Sequence, residues 1–221
     1  MSESHPDVDP PHDAEPPAAV ELLESTVAYQ GYFRVDRLNL RHALYEGGLS
    51  TPVVREVFQR GAVTAVLPVD PVTDQVVLIE QFRPGAYVCG WHPWLLECVA
   101  GVIETGEGPA EVAIRETREE SGCDLTELVH IGRCLTSPGA TSETLDLFVG
   151  RVDARTATGF HGLKDEGEDI RVVVTSVSDA IRALDAGEIV NAKTVIALHW
   201  LARHYSGLKT RWLSDARQGE P

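Results

Sequence analysis

The segment 101–122 predicts a short helix that carries three carboxylates near its C-terminal end. Pro109 suits the first helical turn, and Gly122 suits the position just after the last turn. At 100° per residue, Glu116, Glu119 and Glu120 fall within an arc of about 100°. These acids repel one another and oppose the helix dipole. A solvated acidic face is one explanation, and a bound divalent cation, which takes oxygen ligands, is the other.

The remainder of this segment predicts a helix that packs on a sheet after a close-fitting loop. Gly101 and Gly106 allow a positive φ and a close approach of the backbone to a ligand. Arg115 lies four residues before Glu119, where it can orient that carboxylate by an ion pair. The opposite stripe of the helix would face the sheet and contains Ala110, Ala113, Ile114 and Thr117.

The flanking residues complete a family motif. Its charged and glycine positions, G-x5-E-x7-R-E-U-x-E-E-x-G-U, are matched by Gly101, Glu107, Arg115, Glu116, Glu119, Glu120 and Gly122. Thr117 departs from the motif, because the family usually has an aliphatic residue at that position. The motif is the Nudix box, so the chain resembles the Nudix hydrolases. That resemblance implies cleavage of a nucleoside diphosphate linked to another moiety.

Composition limits the partners of the chain. Its 221 residues include 19 Lys and Arg against 34 Asp and Glu, which gives a net charge of −15. This charge argues against nucleic acid or an anionic membrane as a partner. The cysteines form no CxxC pair, which predicts reduced thiols at Cys89, Cys98, Cys123 and Cys134. With neither a signal peptide nor a long apolar run in the sequence, we expect a cytoplasmic protein.

Hydrophobic patterning predicts four parts of the chain. Residues 1–18 read as a disordered, acidic, Pro-rich tail, 19–59 as an N-terminal antiparallel β element, 60–213 as the catalytic domain and 214–221 as a flexible C-terminus. Strands are expected at 21–28, 33–42, 52–59, 62–68, 75–82, 128–136, 144–152 and 170–176, and residues 94–99 lead into the loop before the helix. Further helices are expected at 179–186 and 192–204. The expected class is α/β, the Nudix fold, with a mixed β-sheet sandwiched between helices.

Further segments narrow the resemblance to one group within the Nudix hydrolases. They are 76–83, 95–101, 161–171 and 191–200. Through them the chain looks like the bacterial ADP-ribose pyrophosphatases over residues 20–213. This implies hydrolysis of ADP-ribose, a small-molecule nucleotide sugar, to AMP and ribose 5-phosphate. It also implies a domain-swapped homodimer that exchanges the N-terminal β element, with residues of both chains at each site.

The same resemblance implies a metal site and a general base. The Ala100 carbonyl, Glu116, Glu120 and Glu168 would hold two or three Mg²⁺ ions, for which Mn²⁺ could substitute. Glu166 matches the residue that the family is thought to use as general base. The base of other Nudix enzymes sits in the helix, which keeps Glu119 and Glu120 as alternatives. Arg115 and Glu119 complete the expected catalytic set.

The resemblance also implies the residues that contact the substrate. Arg83 would hold the diphosphate through its bidentate donors, and Glu97 is expected at the same site. Arg55 would lie near the adenine, although a surface salt bridge is an equal explanation. Tyr32 would stack on the base, unless its ring belongs to the core. Gly139, in the loop 137–139, would lie over the terminal ribose.

Two segments leave the exact substrate open. Residues 85–93 (GAYVCGWHP) are longer and more aromatic than the corresponding family segment, and the N-terminal tail has no counterpart in it. Alternative substrates are therefore ADP-glucose, GDP-mannose and FAD. A non-catalytic, nucleotide-sensing Nudix module is an alternative of another class. The complete set of acidic residues in the motif favours the hydrolase.

Overall fold

The computed structural model describes residues 19–163 and 167–218. Contacts between residues divide the chain into two units. Among the described residues, the first unit contains 19–62 and 132–145, and the second contains 63–131 and 146–218. The tail expected at 1–18 lies outside the described residues. No helix in the described ranges is both long and apolar enough to cross a membrane.

A three-stranded antiparallel sheet forms most of the first unit. Its strands are β1 (Val20–Gln30), β2 (Arg34–His42) and β3 (Val53–Gln59), in the order β1-β2-β3. Thr26 pairs with Arg37, and Leu38 pairs with Arg55. The expected N-terminal antiparallel β element is therefore present. Every residue of β1 is exposed in the single chain.

The larger sheet has eight strands. In chain order they are β4 (Ala62–Asp70), β5 (Gln75–Phe82), β6 (Trp94–Glu97), β7 (Val99–Val102), β8 (Glu127–Leu135), β9 (Thr144–Arg151), β10 (Phe160–His161) and β11 (Ile170–Ser176). The order is β10-β11-β5-β4-β9-β8, with β6 beside β5 and β7 beside β4.

This sheet is mixed, as expected. Thr144 donates its backbone N–H to Gly61, and Val152 donates to Val69, so β9 runs parallel to β4. The pairings of β5 with β4 and with β11 are antiparallel. Both faces of β5 are buried, since successive residues such as Leu78 and Ile79 are almost inaccessible to water. A sheet covered on both faces fits the predicted sandwich between helices.

The helices are α1 (Pro84–Val88), α2 (Pro109–Ser121), α3 (Val177–Asp185) and α4 (Ala192–Gln218), with one turn of 3₁₀ helix at Ala154–Thr156. Helix α4 is longer than the predicted 192–204, and it enters the segment expected as a flexible C-terminus. Its buried residues Leu201, Leu208 and Trp212 continue a helical period beyond the predicted end. The five-residue α1 lies in the unusual segment 85–93 and was not predicted, because it has no buried residue to create a pattern.

The segment 94–99, which leads into the Nudix loop, belongs to two strands. Strand β6 pairs with β5, whereas β7 pairs with β4. Cys98 lies at the change of partner and donates its backbone N–H to the Thr194 hydroxyl over 2.9 Å. A change of neighbouring strand leaves no mark on an apolar run, so the sequence does not show this break.

Candidate active site

Helix α2 begins and ends where its sequence predicts. Pro109 is its first residue, and the Glu111 carboxylate accepts the Gly108 backbone N–H over 2.8 Å, which caps the N-terminus. Gly122 ends the helix with a φ of 72° in the left-handed region. The adjacent strand β7 and helix α2 thus form a fixed frame for the acidic residues.

The buried face of α2 differs from the predicted stripe. It contains Val112, Ala113, Thr117, Glu120 and Ser121, whereas Ile114 and Ala110 are exposed. Ala113 packs in a core cluster with residues of the larger sheet. Thr117 tolerates burial because its hydroxyl donates to the Ala113 carbonyl over 2.7 Å. The prediction missed that one of the acids itself belongs to the buried face.

Glu120 is the most buried carboxylate of the helix, at 3% exposure. Its Oε2 accepts the Ala100 backbone N–H over 3.1 Å. Burial raises the pKa of Glu120 to about 8; the Ala100 hydrogen bond opposes this shift, and the negative charges of Glu116 and Glu168 add to it. Glu120 therefore lies in surroundings that penalise its charge.

Glu116 lies against strand β7. A Cβ at Gly101 would overlap the Glu116 carboxylate, so any other residue here would displace Glu116 from its observed position. The expected positive φ occurs at Gly106 but is not found at Gly101. At Gly101 the important property is the missing side chain, which leaves room for Glu116. Burial also raises the pKa of Glu116, against the opposing effect of Arg115. The glycine of the motif thus brings the backbone of β7 against a carboxylate.

Arg115 holds the outer acids in place. It contacts Glu107 at 3.1 Å, Glu116 at 2.8 Å and Glu119 at 3.1 Å. The ion pair with Glu119 is the one expected from their spacing. The Arg115 hydrogen bonds lower the pKa of Glu107. Arg115 therefore fixes the acidic side of the helix and supplies positive charge beside it.

Glu168 is held by its own loop. Its Oε2 accepts the Leu163 backbone N–H over 3.1 Å, and its backbone N–H donates to the Leu163 carbonyl. Gly162 has a φ of 98°, and a Cβ there would lie 2.7 Å from the Glu168 Cβ. The Glu168 charge lies near enough to raise the pKa of Glu116 and Glu120. The expected base, Glu166, lies outside the described residues.

Arg83 is paired with Glu97. The guanidinium donates from Nε and Nη2 to the two oxygens of Glu97 over 2.9 Å and 2.8 Å. Lys193, which the sequence reasoning missed, donates to the same carboxylate over 2.7 Å. The segment 191–200 drew attention to this region, but no pattern assigned Lys193 a role. Glu97 is fully buried between the two cations, so it is not arranged to contact a substrate itself.

Three predicted contact residues belong to the first unit. Tyr32 is 94% exposed and meets only the edge of Phe33 among ring contacts in the described residues, so it is not a core residue. The Arg55 guanidinium donates to the Val54 carbonyl over 2.8 Å. Gly139 lies in a turn in which the backbone N–H of Ala140 donates to the Ser137 carbonyl.

The acidic residues have the chemistry of a site for a hard divalent cation. Burial, together with neighbouring negative charges that include Glu168, raises the pKa of Glu116 and Glu120, so a nearby cation would stabilise their charged forms. Among the described residues, however, no three His, Cys, Asp or Glu side chains are placed to hold a metal ion. Each carboxylate is turned to a protein donor: Arg115, Ala100 N–H or Leu163 N–H. Ala100 donates its backbone N–H to Glu120 here, whereas the group expected to bind the metal is its carbonyl.

This arrangement of a glycine, an arginine and clustered acids agrees with a known domain. A model of the NUDIX domain matches residues 59–201. The chain belongs to the Nudix family. Family membership confirms the resemblance drawn from the motif, and the Nudix fold explains why a helix of acids is placed directly after a strand of a mixed sheet.

Relatives of this Nudix protein cover most of its length. It is 48% identical over 193 residues to the ADP-ribose pyrophosphatase of Escherichia coli (strain K12), covering 87% of this chain and 92% of that protein. It is 41% identical to the ADP-ribose pyrophosphatase of Haemophilus influenzae, with 87% and 90% covered. A GDP-mannose pyrophosphatase of Escherichia coli (strain SMS-3-5) is 35% identical, with 82% and 94% covered.

A solved structure supports the fold alone. A crystal structure of an ADP compounds hydrolase aligns with a TM-score of 0.68 at 20% identity, covering 88% of this chain and 98% of that one. The confirmed parts of the sequence analysis are therefore the family and the α/β fold.

The raised pKa of Glu120 predicts that stability depends on pH. A carboxyl group with a higher pKa in the folded state contributes stability below its unfolded pKa, and this is lost as the pH rises through the folded pKa. In EDTA, the free energy of unfolding should therefore fall between pH 5 and pH 8, by on the order of 3 kcal/mol from this group. Urea titrations should show a much smaller fall in Glu120→Gln, because its amide is neutral and still accepts the Ala100 N–H. Equal falls in both proteins would contradict the assignment.

Proposed function

We propose that this Nudix protein hydrolyses the pyrophosphate bond of ADP-ribose to give AMP and ribose 5-phosphate. The observation that carries the proposal is the buried Glu120, beside Glu116 and within the electrostatic reach of Glu168, in a Nudix motif whose charged and glycine positions are all matched. The choice of substrate is supported by 41–48% identity to proteins named ADP-ribose pyrophosphatase. We place the protein in the cytoplasm.

The proposed metal site uses the acids at the junction of α2 and β7. Glu116, Glu120, Glu168 and the Ala100 carbonyl would together hold two or three Mg²⁺ ions. Mn²⁺ could take the place of Mg²⁺. The carboxylates would need to turn from their present protein donors, which rotation of their side chains allows. Bound Mg²⁺ would polarise the phosphoryl oxygens and neutralise charge that develops on them. Arg115 would keep Glu119 and Glu116 in position while this occurs.

The residues expected to contact the substrate are kept as proposals. Among the described residues, the edge of Arg83 that does not face Glu97 has no hydrogen-bond partner and is proposed to donate to the diphosphate, which suits a guanidinium. Tyr32, whose ring is exposed, is proposed to stack on the adenine, with Arg55 near it. Gly139 is proposed to lie over the terminal ribose. Glu97 is reassigned from substrate contact to support of Arg83.

GDP-mannose is the second candidate substrate. Proteins named GDP-mannose pyrophosphatase are 33–35% identical to this chain over 82% of its length. ADP-glucose and FAD stay as further alternatives within the same chemistry. A non-catalytic sensing module is disfavoured, because the acidic residues of the motif are all present.

Product analysis with a metal-ligand variant tests the proposal. Incubation of the protein with ADP-ribose and Mg²⁺ should give AMP and ribose 5-phosphate, with faster turnover than on GDP-mannose. Glu120→Gln should lower kcat by at least about 100-fold, since it removes a charged ligand that stabilises the transition state. Glu111→Gln is the control on the same helix, because glutamine preserves the cap that Glu111 supplies. Near-normal hydrolysis by Glu120→Gln would refute the metal site.

We propose Glu166 as the general base, with Glu119 and Glu120 of the helix as the rivals. A base that takes a proton from the attacking water defines the acidic limb of the pH–rate profile. Glu166→Gln should abolish that limb and lower kcat by about 100-fold or more, whereas Glu119→Gln should keep its shape. Profiles of kcat for the two variants decide the matter, and full activity of Glu166→Gln would transfer the role to the helix.

We also propose a homodimer that associates through the first unit. Strand β1 is exposed along its whole length and includes Val20, Leu22, Val27 and Tyr29, an apolar surface that another chain could cover. Leu22→Asp should shift sedimentation from dimer toward monomer, because association would bury its charge. Val72→Asp is the control, since Val72 is an exposed valine in a turn of the second unit. An active wild-type monomer would contradict the dimer.

A further inference from the structure

A cluster of three charges lies at the end of strand β6. Glu97 is completely buried, and both of its oxygens accept hydrogen bonds from Arg83. Lys193 donates to Oε2, the oxygen that also accepts Arg83 Nη2. Burial alone would raise the pKa of Glu97, but the hydrogen bonds and charges of Arg83 and Lys193 outweigh it and lower the pKa. Glu97 is thus a buried anion held between two cations.

Lys193 occupies a position that helix formation alone disfavours. It lies in the first turn of α4, where the helix dipole repels a positive charge, and that turn contains no acidic residue. The next residue, Thr194, is fully buried and accepts the Cys98 backbone N–H. Consecutive residues of α4 therefore bind consecutive residues of the sheet, Glu97 and Cys98. This double attachment fixes the Lys193 ammonium against Glu97.

The pairing leaves one edge of Arg83 without a hydrogen-bond partner in the part of the chain that the structure describes. A guanidinium has five N–H donors, of which Nε and one on Nη2 are used by Glu97. Nη1 and the second Nη2 proton lie on the other edge, and the side chain is 37% exposed. A bidentate pair fixes the plane of the guanidinium as well as its position. The direction of the free edge is therefore set by Glu97.

Two cations on one anion leave the cluster with a net charge of +1. A buried ion pair is held in place only when its remaining hydrogen-bonding capacity is satisfied. Lys193 meets this condition for Glu97, because it occupies Oε2 beside the Arg83 bond. Without it, the Glu97 carboxylate would have fewer donors and greater freedom to rotate, and Arg83 would rotate with it. The positive charges of Lys193 and Arg83 also lie near Glu120.

We propose that Lys193 and Glu97 are positioning residues, which aim the free edge of Arg83 at the substrate diphosphate. Lys193 acts through Glu97 and does not bind the phosphates itself. The inference rests on the proposed function, because it takes Arg83 as the phosphate contact. It assigns a role in catalysis to the first turn of α4, which is 96 residues away from Glu97 in the sequence.

The kinetic test compares Lys193→Met with a matched variant. Lys193→Met should lower kcat/KM for ADP-ribose by about tenfold, the value of one hydrogen bond to a charged group. The loss should appear in KM, since a loosely held arginine weakens ground-state and transition-state binding alike. Lys209→Met is the control: Lys209 also lies on α4 and pairs with a carboxylate, Asp74, in the turn between β4 and β5. Its kinetics should be unchanged.

A double-mutant cycle separates positioning from direct contact. In an Arg83→Met background, Lys193→Met should change kcat/KM by less than about twofold, because its effect passes through Arg83. An equal loss in both backgrounds would show that Lys193 contacts the substrate independently, and the proposal would be overturned. A loss confined to kcat, with KM unchanged, would also overturn it.

A spectroscopic measurement tests the inference without any substrate. The ¹⁵N-labelled Nε–H of Arg83, identified by its absence in Arg83→Met, should exchange slowly with water in the wild type. Lys193→Met should speed this exchange by about tenfold, whereas Lys209→Met should leave it unchanged. An unchanged Arg83 signal in Lys193→Met would refute the positioning role. Should ADP-ribose not be hydrolysed, this signal would still decide whether Lys193 fixes Arg83, so the two failures are distinguishable.

Discussion

Repulsion among the carboxylates of Glu116, Glu120 and Glu168 is the constraint on which the arrangement of the residues around these acids depends. Helix α2 supplies two of these acids and a loop supplies the third, and burial, together with the charges of Glu116 and Glu168, raises the pKa of Glu120. A globular fold gains nothing from such an arrangement, since burial of like charges costs stability. The fold accommodates it with separate donors for each acid, and these come from a side chain in one case and from backbone N–H groups in the others.

The cations are arranged in two groups around these acids. Arg115 lies on the outer side of α2 and binds three carboxylates of its own segment. Arg83 and Lys193 form the other group, and the buried Glu97 pairs with both of them. A chain with a net charge of −15 must concentrate its few positive groups where an anionic substrate is to bind. The compact pairing of these cations with acids keeps them at fixed positions instead of on mobile side chains.

The sequence predicted those parts of the site that depend on local rules. The ends of α2 followed from Pro109 and Gly122, and the pairing of Arg115 with Glu119 followed from helical spacing. Strand β5 was predicted with its observed ends, because its apolar run is bounded by polar residues and turns.

Other parts depend on which strands become neighbours, and the sequence does not show this. Arg83 meets Glu97 only because β6 pairs with β5 in one register, and Lys193 reaches the same carboxylate from a helix far along the chain. The change of strand partner at Cys98 and the burial of Glu120 likewise depend on which strands become neighbours. Gly101 was identified correctly, but the reason for it was a neighbouring side chain and not its own backbone angle. At this position even the methyl group of alanine would collide with Glu116. The absence of a side chain at Gly101 therefore sets where the Glu116 carboxylate can lie, so a strand residue without any functional group shapes the acidic site.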